Sequence, residues 1–408
     1  MRVLLVNKFY YLRSGTERYL FNLKRLLESR GHTVDVFSMQ HPQNQSATFA
    51  RYFVPTMDFN NLNLLSRLNA GLRVLWYPKA ARRIAHVLDE FRPDVVHLFN
   101  IYHHLSPSIL LPITRRSIPI VLTLNDYKLI CPNYLLYTKG APCTRCRSGL
   151  YYHAVLHRCL HGSLTWSTVA ALEMTLHKAL HIFERHVATF IAPSLFVKST
   201  AQAFGIPSDK LVHLPYFLFT EDFAASNADD GYFAYVGRLS HEKGLPTLVR
   251  AMRLVPQAQL LIVGGGPMRP VLEQMIAKWG LKNVQFTGYL TRGKLENILN
   301  GSRFTVLPSE WYEVFGQSIL ESFAAGKPVV GARIGGIPEV INDGAQADGL
   351  LFRPGGEEEL AACLRRLWDH PQRAKEMGLL GRKKVLTDYN AEIHYAQLMP
   401  MYEGFVNS

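Results

Sequence analysis

Short runs of aliphatic and β-branched residues recur along this chain in two series, each run followed by a longer stretch of helical periodicity. This alternation constrains the fold more than any other feature. A strand buried on both faces needs helices above and below it, and a crossover helix makes neighbouring strands parallel. The first series is Val3 to Val6, Thr33 to Phe37, Asp94 to Leu98, Pro119 to Leu124 and Thr189 to Ala192. The second is Tyr232 to Val236, Gln259 to Val263, Val284 to Phe286, Phe304 to Leu307, Pro328 to Val330 and Gly349 to Phe352. Between them Leu214 to Gly231 carries Pro215, Asn227, Asp229 and Asp230 without periodicity, so a linker is expected at 216–230. The predicted architecture is α/β, with two doubly wound, Rossmann-like domains, 1–215 and 231–387, facing a central cleft. The segment 388–408 is expected to pack back on the first domain. Ligands of such sheets bind beyond the carboxyl ends of the strands, which puts one substrate on each domain.

With 408 residues, 48% of them hydrophobic, the chain has room for two full cores. No apolar run approaches the roughly 18 residues of a membrane span, and Met1 to Val6 reads as a strand, so a cytoplasmic protein is expected. Lys and Arg exceed Asp and Glu by 45 − 32 = 13, which fits an anionic partner: a phosphorylated substrate, a membrane surface or a nucleic acid. The basic residues are dispersed and accompany no recognition motif, so nucleic acid is not expected.

The densest chemistry lies in the second series. Glu313 and Glu321 bracket the run from Glu313 to Glu321, where a strand ends at Leu307, Pro308 and Ser309 break it, and a helical pattern begins near Phe315. Were the path between the carboxylates all helix, they would stand roughly 12 Å apart and about 80° around the axis, too far for an acid/base dyad. The spacing suits one extended ligand, with the free N–H groups of a helix start between the carboxylates to receive an anion. Two solvated glutamates on a surface helix are the alternative. After the strand ending at Val236 come Gly237, Arg238, Leu239, then Glu242, Lys243 and Gly244. Two glycines and two cations at a strand-to-helix turn let backbone approach a diphosphate while Arg238 and Lys243 neutralise it. Gly264 to Gly266, before Pro267, form a second tight turn, either a seat for a base or ribose or a simple chain reversal. The residue three beyond Gly266 is Arg269, which breaks the dinucleotide fingerprint and argues against a dehydrogenase. A third glycine pair, Gly335-Gly336, follows the strand at Val329.

Taken in order, Gly237-Arg238-Leu239 with Glu242-Lys243-Gly244, Gly264 to Pro267, Phe286-Thr287-Gly288, Pro308-Ser309, the Glu313/Glu321 pair, and Gly326 to Val330 with Gly335 to Glu339 resemble the retaining glycosyltransferases of family 4, with the GT-B fold. The resemblance covers essentially the whole second domain. It implies that Arg238 and Lys243 hold the donor diphosphate, Glu321 the ribose and Glu313 the transferred sugar. Gly237, Gly264, Gly266 and the helix start at Phe315, Gly316 and Gln317 would complete the donor site.

The first domain matches more loosely. Ser14-Gly15-Thr16-Glu17 looks like the family's Gly-Gly-x-Glu turn with Ser14 for the first glycine; Gly15 would then expose backbone N–H groups to donor phosphate or acceptor. An ordinary strand-to-helix connection capped by Thr16 is the other reading. His97 ends a strand at the expected cleft edge, where relatives often place a histidine. After the next strand relatives carry His-Asp, whereas this chain has Asn125-Asp126. Asn125 cannot exchange a proton near neutral pH, which leaves Asp126 as the candidate for orienting an acceptor hydroxyl.

The resemblance implies a nucleotide diphosphate sugar donor, a glycan or lipid-linked acceptor and retention of anomeric configuration. As the sugar–phosphate bond breaks, negative charge grows on the diphosphate, and Arg238, Lys243 and the helix start would stabilise it in place of a metal. No Asp-x-Asp motif occurs, which disfavours transferases that use one with a metal. A phosphorylase, an epimerase or a sugar-nucleotide sensor are the rival readings; a sensor could dispense with Glu313.

Two features stand apart. Cys131, Cys143, Cys146 and Cys159 fall within an insert at 127–162, and the Cys-x2-Cys pair plus two outer thiols admits a structural zinc site; packed thiols are the alternative. Leu62 to Phe91 carries leucines at helical spacing with Arg67, Arg73, Lys79, Arg82 and Arg83, plus Trp76 and Tyr77. Such a basic amphipathic helix lies either on an anionic membrane, making the protein peripheral to it, or on its own sheet.

Overall fold

The computed structural model describes residues 1–56, 71 and 73–406. They form two compact units: Met1–Leu136, Thr144–Pro215 and Tyr395–Ser408 in the first, Tyr137–Cys143 and Tyr216–His394 in the second.

The strands of the chain are β1 (Arg2–Val6), β2 (Thr33–Phe37), β3 (Val95–Leu98), β4 (Ile120–Thr123), β5 (Tyr137–Thr138), β6 (Ala141–Pro142), β7 (Thr189–Ala192) and β8 (Leu211–His213) in the first half. All but the β5–β6 hairpin pair in parallel as one sheet of order β2-β1-β3-β4-β7-β8. Every residue of β3, β4 and β7 is buried, as expected of parallel strands covered on both faces. The covering helices present apolar stripes. Helix Gly15–Ser29 buries Tyr19, Leu20, Leu23, Leu26 and Leu27, and Pro78–Phe91 buries Ala80, Ile84, Val87, Leu88 and Phe91. The sequence pattern omitted β8: three residues with only Leu211 buried give no periodic signal, and β8 is defined by its parallel pairing with β7.

The second unit repeats the plan with β9 (Phe233–Val236), β10 (Leu260–Val263), β11 (Val284–Gly288), β12 (Thr305–Leu307), β13 (Val329–Ala332) and β14 (Gly349–Phe352). Their order is β11-β10-β9-β12-β13-β14, all parallel. Phe233 and Phe304 stack at 4.7 Å in its core. In each sheet the chain reverses its direction of winding once, between β1 and β3 in the first and between β9 and β12 in the second. The loops at these reversals leave a crevice at the carboxyl edge, where such folds take ligands.

Candidate functional site

The loops after β9 and β12 bring the main candidates of the second unit together. Lys243 closes a short 3₁₀ turn, His241–Lys243, and its Nζ donates to Glu313 Oε1 at 2.5 Å. The Ser309 hydroxyl donates to the same oxygen at 2.6 Å, and Lys243 lies 5.1 Å from the centre of the Trp311 ring. Glu313 is 6% exposed and Glu321 7%, so neither is a solvated surface charge. Arg238 has the opposite character. Its side chain is 61% exposed, tethered at the base by Glu242 Oε1 at 2.6 Å and the Ser240 hydroxyl at 3.2 Å. Burial alone would raise the Glu242 carboxyl, but the Ser240 hydroxyl and the Arg238 guanidinium outweigh it and hold it below the usual carboxylate range. The guanidinium is thus held in place by Glu242 and Ser240 with most of its surface open to solvent.

Helix Gln317–Ala324 begins two residues later than the sequence pattern predicts, because Gly316 at φ 94° ends the preceding loop. No side chain caps this helix start, and Gln317 Oε1 is buried without a hydrogen-bond partner. Uncapped N–H groups beside an unsatisfied amide suit an anionic, hydroxyl-bearing ligand. Phe315 contributes only backbone: its ring is buried against Tyr216 and Tyr389. Glu321 lines a small cavity with Val236, Leu307, Ser318 and Ile319.

Two glycines are required by close approach. A Cβ at Gly335, which has φ 60°, would stand 2.4 Å from the Glu313 backbone N and O, and Gly336 N–H donates to the Glu313 carbonyl at 2.8 Å. The Gly335-Gly336 turn therefore fixes the backbone that carries Glu313. A Cβ at Gly264 would stand 2.0 Å from the Gly237 carbonyl. The turn from Gly264 to Gly266 packs on the Gly237 to Leu239 loop, with Leu239 N–H donating to the Gly265 carbonyl at 2.9 Å. This contact accounts for the glycines without a bound nucleotide.

In the first unit Ser14, not Thr16, occupies the N-cap position of helix Gly15–Ser29. Its hydroxyl donates to Glu17 Oε2 at 2.6 Å, and Asn7 Nδ2 donates to Glu17 Oε1 at 2.9 Å, so the turn around Gly15 is braced by a buried carboxylate. His97 requires a correction. It is fully buried in β3, with Nδ1 sharing a 2.6 Å hydrogen bond with the Tyr402 hydroxyl and Nε2 a 2.7 Å bond with the Thr123 hydroxyl. Its ring stacks on Phe99 at 4.7 Å. Both nitrogens are engaged in the core, and His97 is a structural residue. Its side chain is on the inner run of the strand rather than on the loop beyond it, which a strand boundary read from sequence does not resolve.

Asp126 sits on the loop after β4, accepting the Lys128 N–H at 2.9 Å. Dense packing raises its carboxyl above the usual range, opposed by Lys8 and by the Lys128 N–H. Asn125 Nδ2 donates to the Thr123 carbonyl at 3.0 Å. The sequence reading missed Lys8, on the loop after β1, and His103 and His104, on the loop after β3. Burial lowers the Lys8 ammonium against the pull of Asp126 and Glu17. Burial, aided by Lys128 and Lys8, drives His103 well below its ordinary value; burial and Lys8 drive His104 down to about 3. Both imidazoles are neutral at pH 7. The available signal was the position of a lysine two residues after one strand and a His-His pair five residues after its neighbour.

The four cysteines of the insert are not matched by a formed ligand set. Cys131 Sγ bonds to Asn133 Oδ1 at 2.9 Å, and among the described residues no group of three or more His, Cys, Asp or Glu side chains is placed to hold a metal ion. The basic helix nominated from Leu62 to Phe91 lies partly outside the described residues, at 62–70 and 72, which include Arg67. Of its described residues, the helix Pro78–Phe91 turns its apolar stripe into the core, so that stripe is not available to a membrane. Among the described residues no helix is long and apolar enough to cross one.

The model of the family described as Glycosyltransferase Family 4 matches residues 13–218, and that described as Glycosyl transferases group 1 matches residues 219–384. The chain belongs to glycosyltransferase family 4. Among curated relatives of this family-4 chain, a Klebsiella pneumoniae protein named for its place in a cps region is 23% identical over 364 residues, 83% of this chain and 87% of its own. The D-rhamnosyltransferase WbpZ of Pseudomonas aeruginosa is 34% identical over 168 residues, but this spans only 41% of each chain. Two solved structures share the fold along its length: sucrose-phosphate synthase from Thermosynechococcus elongatus, with TM-score 0.74, 20% identity and 100% of both chains covered, and Anabaena HepE in complex with UDP and glucose. The latter has TM-score 0.67 and 18% identity, covering 98% of this chain and 99% of its own. The fold is GT-B, with two Rossmann-like parallel sheets.

Proposed function

We propose that this family-4 chain transfers a sugar from a nucleotide diphosphate sugar to a glycan or lipid-linked acceptor, retaining anomeric configuration and using no catalytic metal. One observation carries the reading. Lys243, Glu313 and an uncapped helix start converge at the winding reversal of the second sheet, with the exposed guanidinium of Arg238 on the same loop. A diphosphate there meets two cations and a helix start that no side chain caps, while Glu313 accepts sugar hydroxyls. As the bond from C1 to the phosphate oxygen breaks, its electron pair stays on the diphosphate, and Arg238 and Lys243 stabilise that charge. Glu321 is assigned to the ribose. In the first unit, Asp126 is assigned to orient the acceptor hydroxyl, with Lys8 holding its charge; the hydroxyl oxygen forms the new bond to C1 and its proton passes to the departing diphosphate. The HepE structure contains UDP and glucose, which supports a nucleotide sugar as the donor class.

The test is release of nucleoside diphosphate from a panel of nucleotide sugars, run with and without chelator. Proton NMR of the product would read the anomeric configuration. Activity that survives chelation and yields a product of the donor's configuration is expected. Activity abolished by chelator and restored by a divalent cation would overturn the metal-independent part, and an inverted product the retaining part.

A further inference from the structure

Seven of the large apolar side chains left exposed on the first unit fall between Leu150 and Leu180, on and beside two packed helices. Helix Leu164–Ala179 turns Ala170, Ala171, Glu173, Met174 and His177 inward and leaves Leu164, Leu172 and Leu176 outside, with Leu180 just beyond its end. Leu172, Leu176 and Leu180, each four residues apart, line one face. Helix Tyr152–Leu156 packs beside it through a small core of Cys146, Tyr151, Ala171 and Met174, and adds exposed Tyr152 and Leu156. Exposure reaches 60% at Leu172 and 69% at Leu156. The water-facing side of a surface helix ordinarily carries charge, and a clustered apolar face marks a contact.

Charge identifies the partner. Residues 144–172 include no Asp or Glu, whereas Arg145, Arg147 and Arg158 are exposed and His153, His157 and His161 lie among them. The first carboxylate beyond, Glu173, is 2% exposed and bonded to Lys128 at 2.7 Å, so its charge is neutralised inside. The next, Glu184, is held by Lys178 at 2.6 Å. Leucines flanked by cations, in a segment that carries no acidic residue, complement acyl chains beneath acidic headgroups.

We infer that helices Tyr152–Leu156 and Leu164–Ala179 form a docking surface for an anionic lipid bilayer. This differs from the surface the sequence suggested, of which the helix Pro78–Phe91 turns its apolar stripe into the core. It goes beyond glycosyl transfer, and lipid binding and donor binding are read separately, so either can fail alone.

The experiment is flotation of the full chain with phosphatidylcholine vesicles, with or without roughly 30% phosphatidylglycerol, at low and high salt. The wild type should partition at least about tenfold more strongly onto the acidic vesicles and less as salt shortens the screening length. Leu172→Glu with Leu176→Glu should weaken partition by about tenfold or more, and Arg145→Gln with Arg147→Gln and Arg158→Gln should abolish the preference for acidic lipid. Leu379→Glu, at a leucine 51% exposed on the second unit, should leave partition unchanged. Thermal melts check folding, and Leu156→Glu on the neighbouring helix replaces the paired variant if that fails to fold. Equal or absent binding to both vesicles overturns the proposal. So does binding indifferent to the leucine substitutions, or a dimer in light scattering that those substitutions dissociate while lipid binding persists.

Discussion

Replacing Lys243 with Met removes the cation that faces the buried Glu313. At 2.5 Å and an effective dielectric near 20, the Coulomb attraction is roughly 7 kcal/mol before desolvation is subtracted. Removing one partner of a buried pair typically costs about 3–5 kcal/mol. The Lys243 side chain is 19% exposed and Ser309 still bonds the carboxylate, so a loss of about 2–3 kcal/mol in unfolding free energy is expected. Glu313→Gln in the Lys243→Met background removes the stranded charge and should restore at least half of it. Donor binding should behave differently. A charge-assisted contact to a phosphate contributes about 1.5–3 kcal/mol, so affinity for the nucleoside diphosphate should fall roughly 10- to 100-fold in both the single and the double variant. Urea unfolding reads the first quantity and calorimetric titration of nucleoside diphosphates the second. A double variant that recovers wild-type affinity along with stability would refute the assignment, because Lys243 would then serve only to neutralise Glu313.

Other expectations follow from the same geometry. Gly335→Ala, at φ 60° and 2.4 Å from the Glu313 backbone, should cost about 2 kcal/mol or more and weaken donor binding with it, since the displaced backbone carries Glu313. Tyr402→Phe breaks a buried bond to His97 and should lower stability by about 1–2 kcal/mol while leaving donor affinity unchanged. His104 is held at about 3, below its ordinary 6.5, so its contribution to stability is present above 6.5 and is lost as pH falls towards 3. Between about pH 7.5 and pH 5 the wild type should therefore lose about 2 kcal/mol through this group, and His104→Gln should lose correspondingly less in urea titrations. Metal analysis of purified protein tests the insert: a full equivalent of zinc would show that Cys131, Cys143, Cys146 and Cys159 close on an ion, and less than about a tenth would exclude it.

The alternation of apolar runs and helical stretches was enough to read two doubly wound sheets, because buried parallel strands are written as continuous aliphatic segments. The short strand Leu211–His213 was not readable, since its hydrogen bonds to β7 define it and three residues carry no period. Within the second unit the motifs were legible, but their mutual geometry was not. Lys243 and Glu313 are 70 positions apart, and only the folded loops after β9 and β12 bring them into one ion pair. The glycines at 264 and 266 were visible as a turn, yet their explanation, close packing on Gly237 and Leu239, depends on a second loop. His97 was misplaced because a histidine one residue from a strand's end can face the loop or the core, and Tyr402, 305 residues away, decides which. The amphipathic stripe of Pro78–Phe91 was correctly apolar, but sequence does not say whether a stripe meets a sheet or a membrane.

The central claim is that the second unit binds a nucleotide diphosphate sugar through Arg238, Lys243 and Glu313. Calorimetric titration of a nucleotide-sugar panel against the wild type and Glu313→Ala tests it most directly. At least one nucleotide sugar should bind the wild type in the micromolar to millimolar range. Glu313→Ala should bind that sugar at least about tenfold more weakly while keeping more of its affinity for the matching nucleoside diphosphate. Failure of every nucleotide sugar to bind the folded wild type would contradict it.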